Sequence, residues 1–123
     1  MNLKKTLNSF KFAFQGIDDL FRTQLNSRLH LLVSVIVIAA GFYFSIDRME
    51  WVSIVLCITM VISLEALNTA LEYLTNLVSP DYHPLAGRAK DAAAGAVLIA
   101  GLGAAIVGLL IFLPRLMGVF GLE

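Results

Sequence analysis

Charged side chains are scarce in this sequence, at 15% of 123 residues, where soluble domains average about 25%. Hydrophobic residues make up 59% of the chain, which is more apolar surface than a soluble domain of this length needs. The shortage of charge therefore argues against a soluble protein, and the length allows one domain. We expect an all-α membrane protein, because helices satisfy their own backbone hydrogen bonds in lipid.

Cysteine is also scarce and there is no excess of positive charge, and both facts limit the kinds of site and partner that we expect. Cys57 is the only cysteine, so the chain can form neither an intrachain disulfide nor a cysteine-based zinc site. Its apolar neighbours favour a packing role. Nine basic and nine acidic residues give a formal net charge of zero, so no excess of positive charge points to a nucleic-acid partner.

What the sequence does contain is three long apolar runs. They cover Leu29–Ile46, Trp51–Val78 and Ala92–Leu113, and Pro114 follows the last of them. A helix needs about 20 mostly apolar residues to cross a membrane, so we predict three transmembrane helices, the third closed by Pro114. Ser79-Pro80 should end the second helix. The first run begins too late and is too long for a signal peptide, so we expect the whole chain to be mature protein.

The segment 3–25 before these runs is amphipathic. Its apolar residues recur at helical spacing, with the basic residues elsewhere: Leu3, Leu7, Phe10, Phe14, Ile17, Leu20 and Phe21. This pattern predicts a helix lying on the membrane surface.

The basic residues indicate the orientation in the membrane. Seven of them lie before the first run or in the loop 79–91: Lys4, Lys5, Lys11, Arg22, Arg28, Arg88 and Lys90. Only Arg48 and Arg115 lie on the other side. The positive-inside rule therefore predicts a cytoplasmic N-terminus and a cytoplasmic loop 79–91.

A stripe of polar residues interrupts the second apolar run. It consists of Glu65, Asn68, Thr69, Glu72 and Asn76. At about 100° per residue these positions share one helix face. Ionisable groups at membrane depth cost roughly 2.5–3.5 kcal/mol each on insertion scales, so the stripe is a functional-site hypothesis. It would lie near the cytoplasmic end of its helix.

The two acids of the stripe suit different tasks. Glu65 and Glu72 are two turns apart, roughly 10 Å along the helix axis, which is too far for both to bind one ion directly. The deeper Glu65 is suited to general-base chemistry, and the shallower Glu72 to holding Mg²⁺ together with substrate phosphates. Asn68 lies between them and can orient either ligand.

Basic residues follow in the loop and in the third run. Arg88 and Lys90 can pair with phosphate oxygens, and Asp91 can anchor one of these cations. Each residue also has a structural explanation: Lys90 as a snorkelling anchor, His83 as a loop residue before proline, Glu72 as a solvated acid. Their occurrence together on one membrane face favours the functional explanation.

Small residues recur every four positions in the third run. They are Ala92, Ala96, Ala100, Ala104 and Gly108, with Gly101 and Ala105 as a second row. Such a pattern lets helices approach closely in lipid. Because three thin helices enclose little space, we favour a homo-oligomer over contacts within one chain.

The ordered motifs resemble the small prokaryotic integral-membrane diacylglycerol kinases, including their undecaprenol kinase branch. The family pattern Glu-x-x-Asn-x-Ala-x-Glu, then His, then Gly-Arg-Ala-Lys-Asp, corresponds here to Glu65, Asn68, Ala70, Glu72, His83, Gly87, Arg88, Ala89, Lys90 and Asp91. The resemblance covers nearly the whole chain, and the N-terminal run and the Ala-Gly-Ala-Val-Leu sequence look more like the undecaprenol kinase branch.

The resemblance implies an ATP-dependent lipid kinase that works as a homotrimer with sites between subunits. Glu65 would be the catalytic base, Asn68 a supporting residue, and Glu72 a ligand of Mg²⁺ and nucleotide. Further nucleotide contacts would come from Phe12, Gln24, Asp81, Tyr82, His83, Lys90 and Asp91. The enzyme would lie in the bacterial inner membrane and phosphorylate undecaprenol or diacylglycerol on the cytoplasmic side.

Two positions depart from the family pattern. Gln24 stands where the family has a second metal-binding glutamate, and Asn76 replaces a common acidic residue. An amide can ligate Mg²⁺ but brings no negative charge, so metal affinity should fall. The alternatives are therefore a degenerate, non-catalytic scaffold of the same fold and a small ion or proton pathway. The retained acids argue against the scaffold, and the pathway explains neither the Lys90–Asp91 pair nor the amphipathic segment 3–25.

Overall fold

The computed structural model describes residues 2–122 as four helices joined by short connections. The helices are α1 (Leu3–Thr23), α2 (Leu25–Tyr43), α3 (Arg48–Val78) and α4 (Pro84–Val119). No strand occurs in this part of the chain, which confirms the all-helical fold. The helices α2, α3 and α4 are long and apolar enough to cross a membrane.

Local sequence signals explain where the helices begin and end. Asn2 caps α1, since its side-chain oxygen accepts a hydrogen bond from the N–H of Lys4 at 3.0 Å. Asp47 and Glu50 form a reciprocal capping box at the start of α3. The helix α3 ends at Val78, immediately before Ser79, where the proline signal predicted its end.

The bounds of α4 differ from the sequence prediction at both ends. The predicted span 92–113 covers only the apolar part of a helix that begins at Pro84. Pro114 does not close it, because the helix continues to Val119. Proline leaves the carbonyl one turn earlier without its helical donor. That carbonyl belongs to Leu110. The carbonyl of Ile111, next to it, accepts a hydrogen bond from the Arg115 guanidinium at 2.6 Å, and the same guanidinium donates to both Glu50 carboxylate oxygens at 2.7 and 2.8 Å.

α3 packs mainly against α4 and also against α2, while α1 contacts α2 and α3. The apolar core lies where α2 leads into α3, which we call the Trp51 end. Ile46, Ile54 and Ile111 are buried there, with Trp51 packed against them. The opposite end, where α3 leads into α4, is called the Pro80 end.

Gly41 is required at the Trp51 end because the tryptophan ring lies against its backbone. A Cβ at this position would lie 2.6 Å from Trp51 Cη2 and 3.1 Å from Ile46 Cδ1. We expect Gly41→Ala to displace the ring and to destabilise the fold by about 1–3 kcal/mol. Trp51 is the only tryptophan, so its emission spectrum and a thermal melt in detergent measure both effects. Gly103→Ala, at a site open to 4 Å, is the matched control, and equal spectra and melts for the two variants would contradict the packing.

Candidate active site

Buried polar side chains are concentrated in the half of the bundle toward the Pro80 end. They are Ser27 and Ser34 on α2 and Glu65 and Thr69 on α3. Glu65 is only 4% exposed, whereas Asn68 and Glu72 are half-buried and Asn76 is exposed. The polar stripe therefore runs from a buried acid in the bundle to the surface near the end of α3.

Glu65 is held across the helix interface by His30 of α2. His30 Nε2 lies 3.2 Å from Glu65 Oε1, and the histidine side chain is 35% exposed. The sequence analysis assigned no role to His30. A sequence gives no signal for this contact, because the packing of α2 against α3 that brings His30 to Glu65 is not visible in it.

Asn68 and Glu72 interact directly, one turn apart on α3. Asn68 Nδ2 donates a hydrogen bond to Glu72 Oε1 at 3.3 Å. The other amide atom, Asn68 Oδ1, is buried and has no hydrogen-bond partner among residues 2–122. A buried acceptor without a donor is uncommon and calls for an explanation such as an ion. An oxygen donor beside a carboxylate is the type of ligand that Mg²⁺ takes.

Lys90 reaches back from α4 to the end of the stripe. Its Nζ donates a hydrogen bond to Asn76 Oδ1. Asn76 therefore keeps a polar contact with the lysine although its amide carries no charge. This contact places an ammonium group beside α3 at the Pro80 end.

The other residues expected at a nucleotide site do not converge on Glu72 in the single chain. His83 caps α4, since its Nδ1 accepts from the N–H of Leu85 at 3.1 Å. Tyr82 and Phe12 are 87% and 64% exposed, and Asp81 and Asp91 are also exposed. These side chains are free to meet a ligand, but the structure brings none of them into contact with the acids.

A hydrogen-bonded cluster attaches α1 to α3 beside Glu72. The Tyr73 hydroxyl donates to Asp19 Oδ2 at 2.9 Å and lies 3.3 Å from Thr23 Oγ1. Gln24 Nε2 donates to the same threonine at 3.2 Å. The sequence analysis missed this cluster, although a tyrosine next to Glu72 and an acid on the amphipathic helix are its visible parts.

The surface helix also carries an exposed ion pair, Arg22–Asp18, at 2.8 Å. The hydrogen bond that Arg22 donates to the Asp18 carboxylate raises the pKa of Arg22 above its ordinary value, so this guanidinium stays charged. With Asp18 bound to Arg22 and Asp19 bound to Tyr73, neither acid contacts Gln24. In the described part of the chain no three histidine, cysteine, aspartate or glutamate side chains form a metal cluster.

Two cavities flank the buried acid. One, of about 350 Å³, lies between α1 and α3 and is lined by Ala13, Gly16, Ile17, Asp19, Leu20, Ala66, Thr69, Ala70 and Tyr73. The other, of about 330 Å³, is an apolar cleft whose walls are α2, α3 and α4. His30 lies at its end toward Glu65, and the small residues Gly101, Ala104, Ala105 and Gly108 form its α4 wall.

Comparison with known proteins gives consistent matches along the chain. The model of the family described as prokaryotic diacylglycerol kinase matches residues 11–112. The chain is 43% identical to the undecaprenol kinase of Bacillus subtilis (strain 168) over 114 residues, which are 93% of each protein. It is also 43% identical to the diacylglycerol kinase of Synechocystis sp. over 112 residues, 90% of this chain and 64% of that protein. A diacylglycerol kinase of Haemophilus influenzae is 30% identical over 98 residues, 80% of this chain and 83% of that one.

Proposed function

The chain belongs to the prokaryotic diacylglycerol kinase family, and we propose that it uses ATP to phosphorylate undecaprenol or diacylglycerol at the cytoplasmic face of the bacterial inner membrane. That it is a membrane protein and a lipid kinase follows from its family and relatives. What we propose beyond this is that ATP is the phosphate donor, that undecaprenol or diacylglycerol is the acceptor, and that the reaction takes place at the cytoplasmic face of the inner membrane. The observation that carries it is the buried Glu65 on a membrane-spanning helix, two turns from a second acid that is half-exposed.

Glu65 is the proposed catalytic base. Its carboxylate accepts the proton of the lipid hydroxyl while the hydroxyl oxygen forms a bond to the γ-phosphorus of ATP. The bond from that phosphorus to the bridging oxygen breaks, and ADP leaves. Burial excludes water from the base, so the lipid alcohol rather than water is the acceptor.

Glu72 and Asn68 are the residues that fit Mg²⁺. The carboxylate of Glu72 supplies negative charge, and the unpaired Asn68 Oδ1 supplies a neutral oxygen donor beside it. When bound with ATP, the ion neutralises phosphate charge during transfer. Lys90 adds a positive charge near the end of the stripe, and Asp91, Asp81, Tyr82, His83 and Phe12 are the remaining proposed nucleotide contacts.

The proposed orientation in the membrane rests on the basic residues, and the proposed assembly rests on the small residues of α4. Seven of the nine basic residues lie either before the first membrane-spanning helix or in the segment 79–91. By the positive-inside rule this distribution supports a site on the cytoplasmic side of the membrane. A Cβ atom added at Gly101 or at Gly108 would have no neighbouring atom within 4 Å. The small residues of α4 therefore face the open cleft. An unfilled small-residue face supports the proposed homotrimer.

Gln24 bears on the alternative that the chain is a non-catalytic scaffold. Restoring a carboxylate there tests whether this position belongs to the metal site. We expect Gln24→Glu to lower the Mg²⁺ concentration for half-maximal activity by about tenfold, since Mg²⁺ prefers one or two carboxylates. The measurement is a Mg²⁺ titration of phosphate transfer at fixed ATP, with Thr23→Ser as the neighbouring control. An unchanged or weaker Mg²⁺ dependence would remove position 24 from the metal site.

The proposed function is tested by transfer of the γ-phosphate from Mg-ATP in mixed micelles. Undecaprenol and dioleoylglycerol are offered in parallel to the purified, folded protein. Transfer to either lipid supports the kinase, and the faster acceptor identifies the substrate class. Absence of transfer to both, at high Mg²⁺ and Mn²⁺, would support the scaffold instead.

A further inference from the structure

The carboxylate of Glu65 has one defined partner in the bundle. His30 Nε2 lies 3.2 Å from Oε1, and no other side chain among the described residues pairs with this carboxylate. The ion pairs of arginine side chains in this part of the chain are with Asp18 and Glu50, so no arginine competes for this site. His30 is therefore the one side chain placed to orient the buried carboxylate.

The position of His30 is itself fixed by α2. The hydroxyl of Ser34 donates to the backbone carbonyl of His30 at 2.7 Å, one turn along the helix. The imidazole thus bridges the buried acid on one side and the apolar cleft on the other, where it is partly exposed.

We propose that His30 is a positioning residue for Glu65. It binds Oε1, fixes the carboxylate rotamer and leaves Oε2 as the oxygen that receives the proton of the lipid hydroxyl. His30 keeps its Nε2 proton throughout, so the proton taken from the lipid stays on Glu65 until it leaves to solvent. This inference rests on the proposed function, because it assumes that Glu65 is the base.

The test compares three variants of the full chain in mixed micelles with Mg-ATP. His30→Leu removes the donor, and His30→Gln restores a donor through its amide. Ser53→Ala is the control, because it removes a serine-to-carbonyl hydrogen bond of the same kind on α3, near the Trp51 end. Loss of a hydrogen bond to a charged group predicts a fall in kcat of about 10- to 150-fold for His30→Leu. The KM for ATP and the Mg²⁺ dependence should not change. His30→Gln should recover most of kcat, and Ser53→Ala should stay within about twofold of the wild type.

A second measurement separates this inference from the proposed function. Thermal melts of His30→Leu, Glu65→Leu and the double variant form a cycle that needs no activity, and Glu65→Leu removes the acceptor that Glu65→Gln would keep. A smaller effect of the double variant than the sum of the single ones supports the contact. The inference would be overturned if the changes in melting temperature were additive. It would also be overturned if His30→Leu kept the kcat of the wild type, or if His30→Leu and His30→Gln lost the same share of kcat. If the wild type transfers no phosphate, the proposed function fails and with it the role of His30 in catalysis, whatever the melts show.

Discussion

Glu65→Gln should reduce phosphate transfer by about 10²- to 10⁴-fold, the usual contribution of a positioned general base. The amide has nearly the same shape and its oxygen can still accept the hydrogen bond of His30, so the fold should survive. Because the amide cannot take the lipid proton, kcat should fall while the KM for ATP is retained. The measurement is the initial rate of label transfer to lipid under saturating Mg-ATP.

Glu50→Gln is the matched control for this prediction. Glu50 is an acid on the same helix, but it lies at the Trp51 end, where it binds Arg115. This variant should keep its turnover even if its melting temperature falls. Turnover like that of the wild type in Glu65→Gln would remove Glu65 as the base, and equal losses in both variants would point to a general effect on folding.

Glu72→Gln should raise the Mg²⁺ concentration needed for half-maximal activity by at least about tenfold. Glu72 is the only carboxylate in the proposed metal site, because position 24 is a glutamine, so its removal leaves neutral oxygen donors alone. Part of the activity should return at high Mg²⁺, in contrast to Glu65→Gln. The measurement is a Mg²⁺ titration of transfer at fixed ATP.

Thr75→Val is the control for Glu72→Gln. The Thr75 hydroxyl donates to the backbone carbonyl of Glu72 at 3.1 Å, so this variant disturbs the same turn without changing the carboxylate. It should leave the Mg²⁺ dependence unchanged. If Glu72→Gln titrates like the wild type, Glu72 is not a metal ligand and the division of tasks along α3 is wrong.

Features encoded within one helix could be predicted from the sequence. The helical period placed Glu65 and Thr69 on one face, and the structure buries both. The end of α3 at Val78 followed from Ser79-Pro80, a local steric signal. The roles of these residues in catalysis stay predictions, which the variants described above test.

Features that depend on contacts between distant residues could not be predicted. The continuation of α4 past Pro114 accompanies the pairing of Arg115 with Glu50, and these two residues are 65 positions apart. The contact between His30 and Glu65 depends on how α2 and α3 pack. The attachment of α1 through Tyr73 and Asp19 likewise joins residues 54 positions apart. A periodic pattern identifies each helix and its faces, but it does not identify which residues of two helices meet.

On one face of α3, Glu65 is proposed to accept the lipid proton and Glu72 to hold Mg²⁺ with ATP. Equilibrium binding of Mg-ATP to the purified Glu65→Gln and Glu72→Gln variants tests it most directly. Glu65→Gln should bind Mg-ATP as the wild type does but should not transfer phosphate. Glu72→Gln should bind Mg-ATP at least about tenfold more weakly than the wild type. Equal affinity in the two variants, or weak binding confined to Glu65→Gln, would contradict the account.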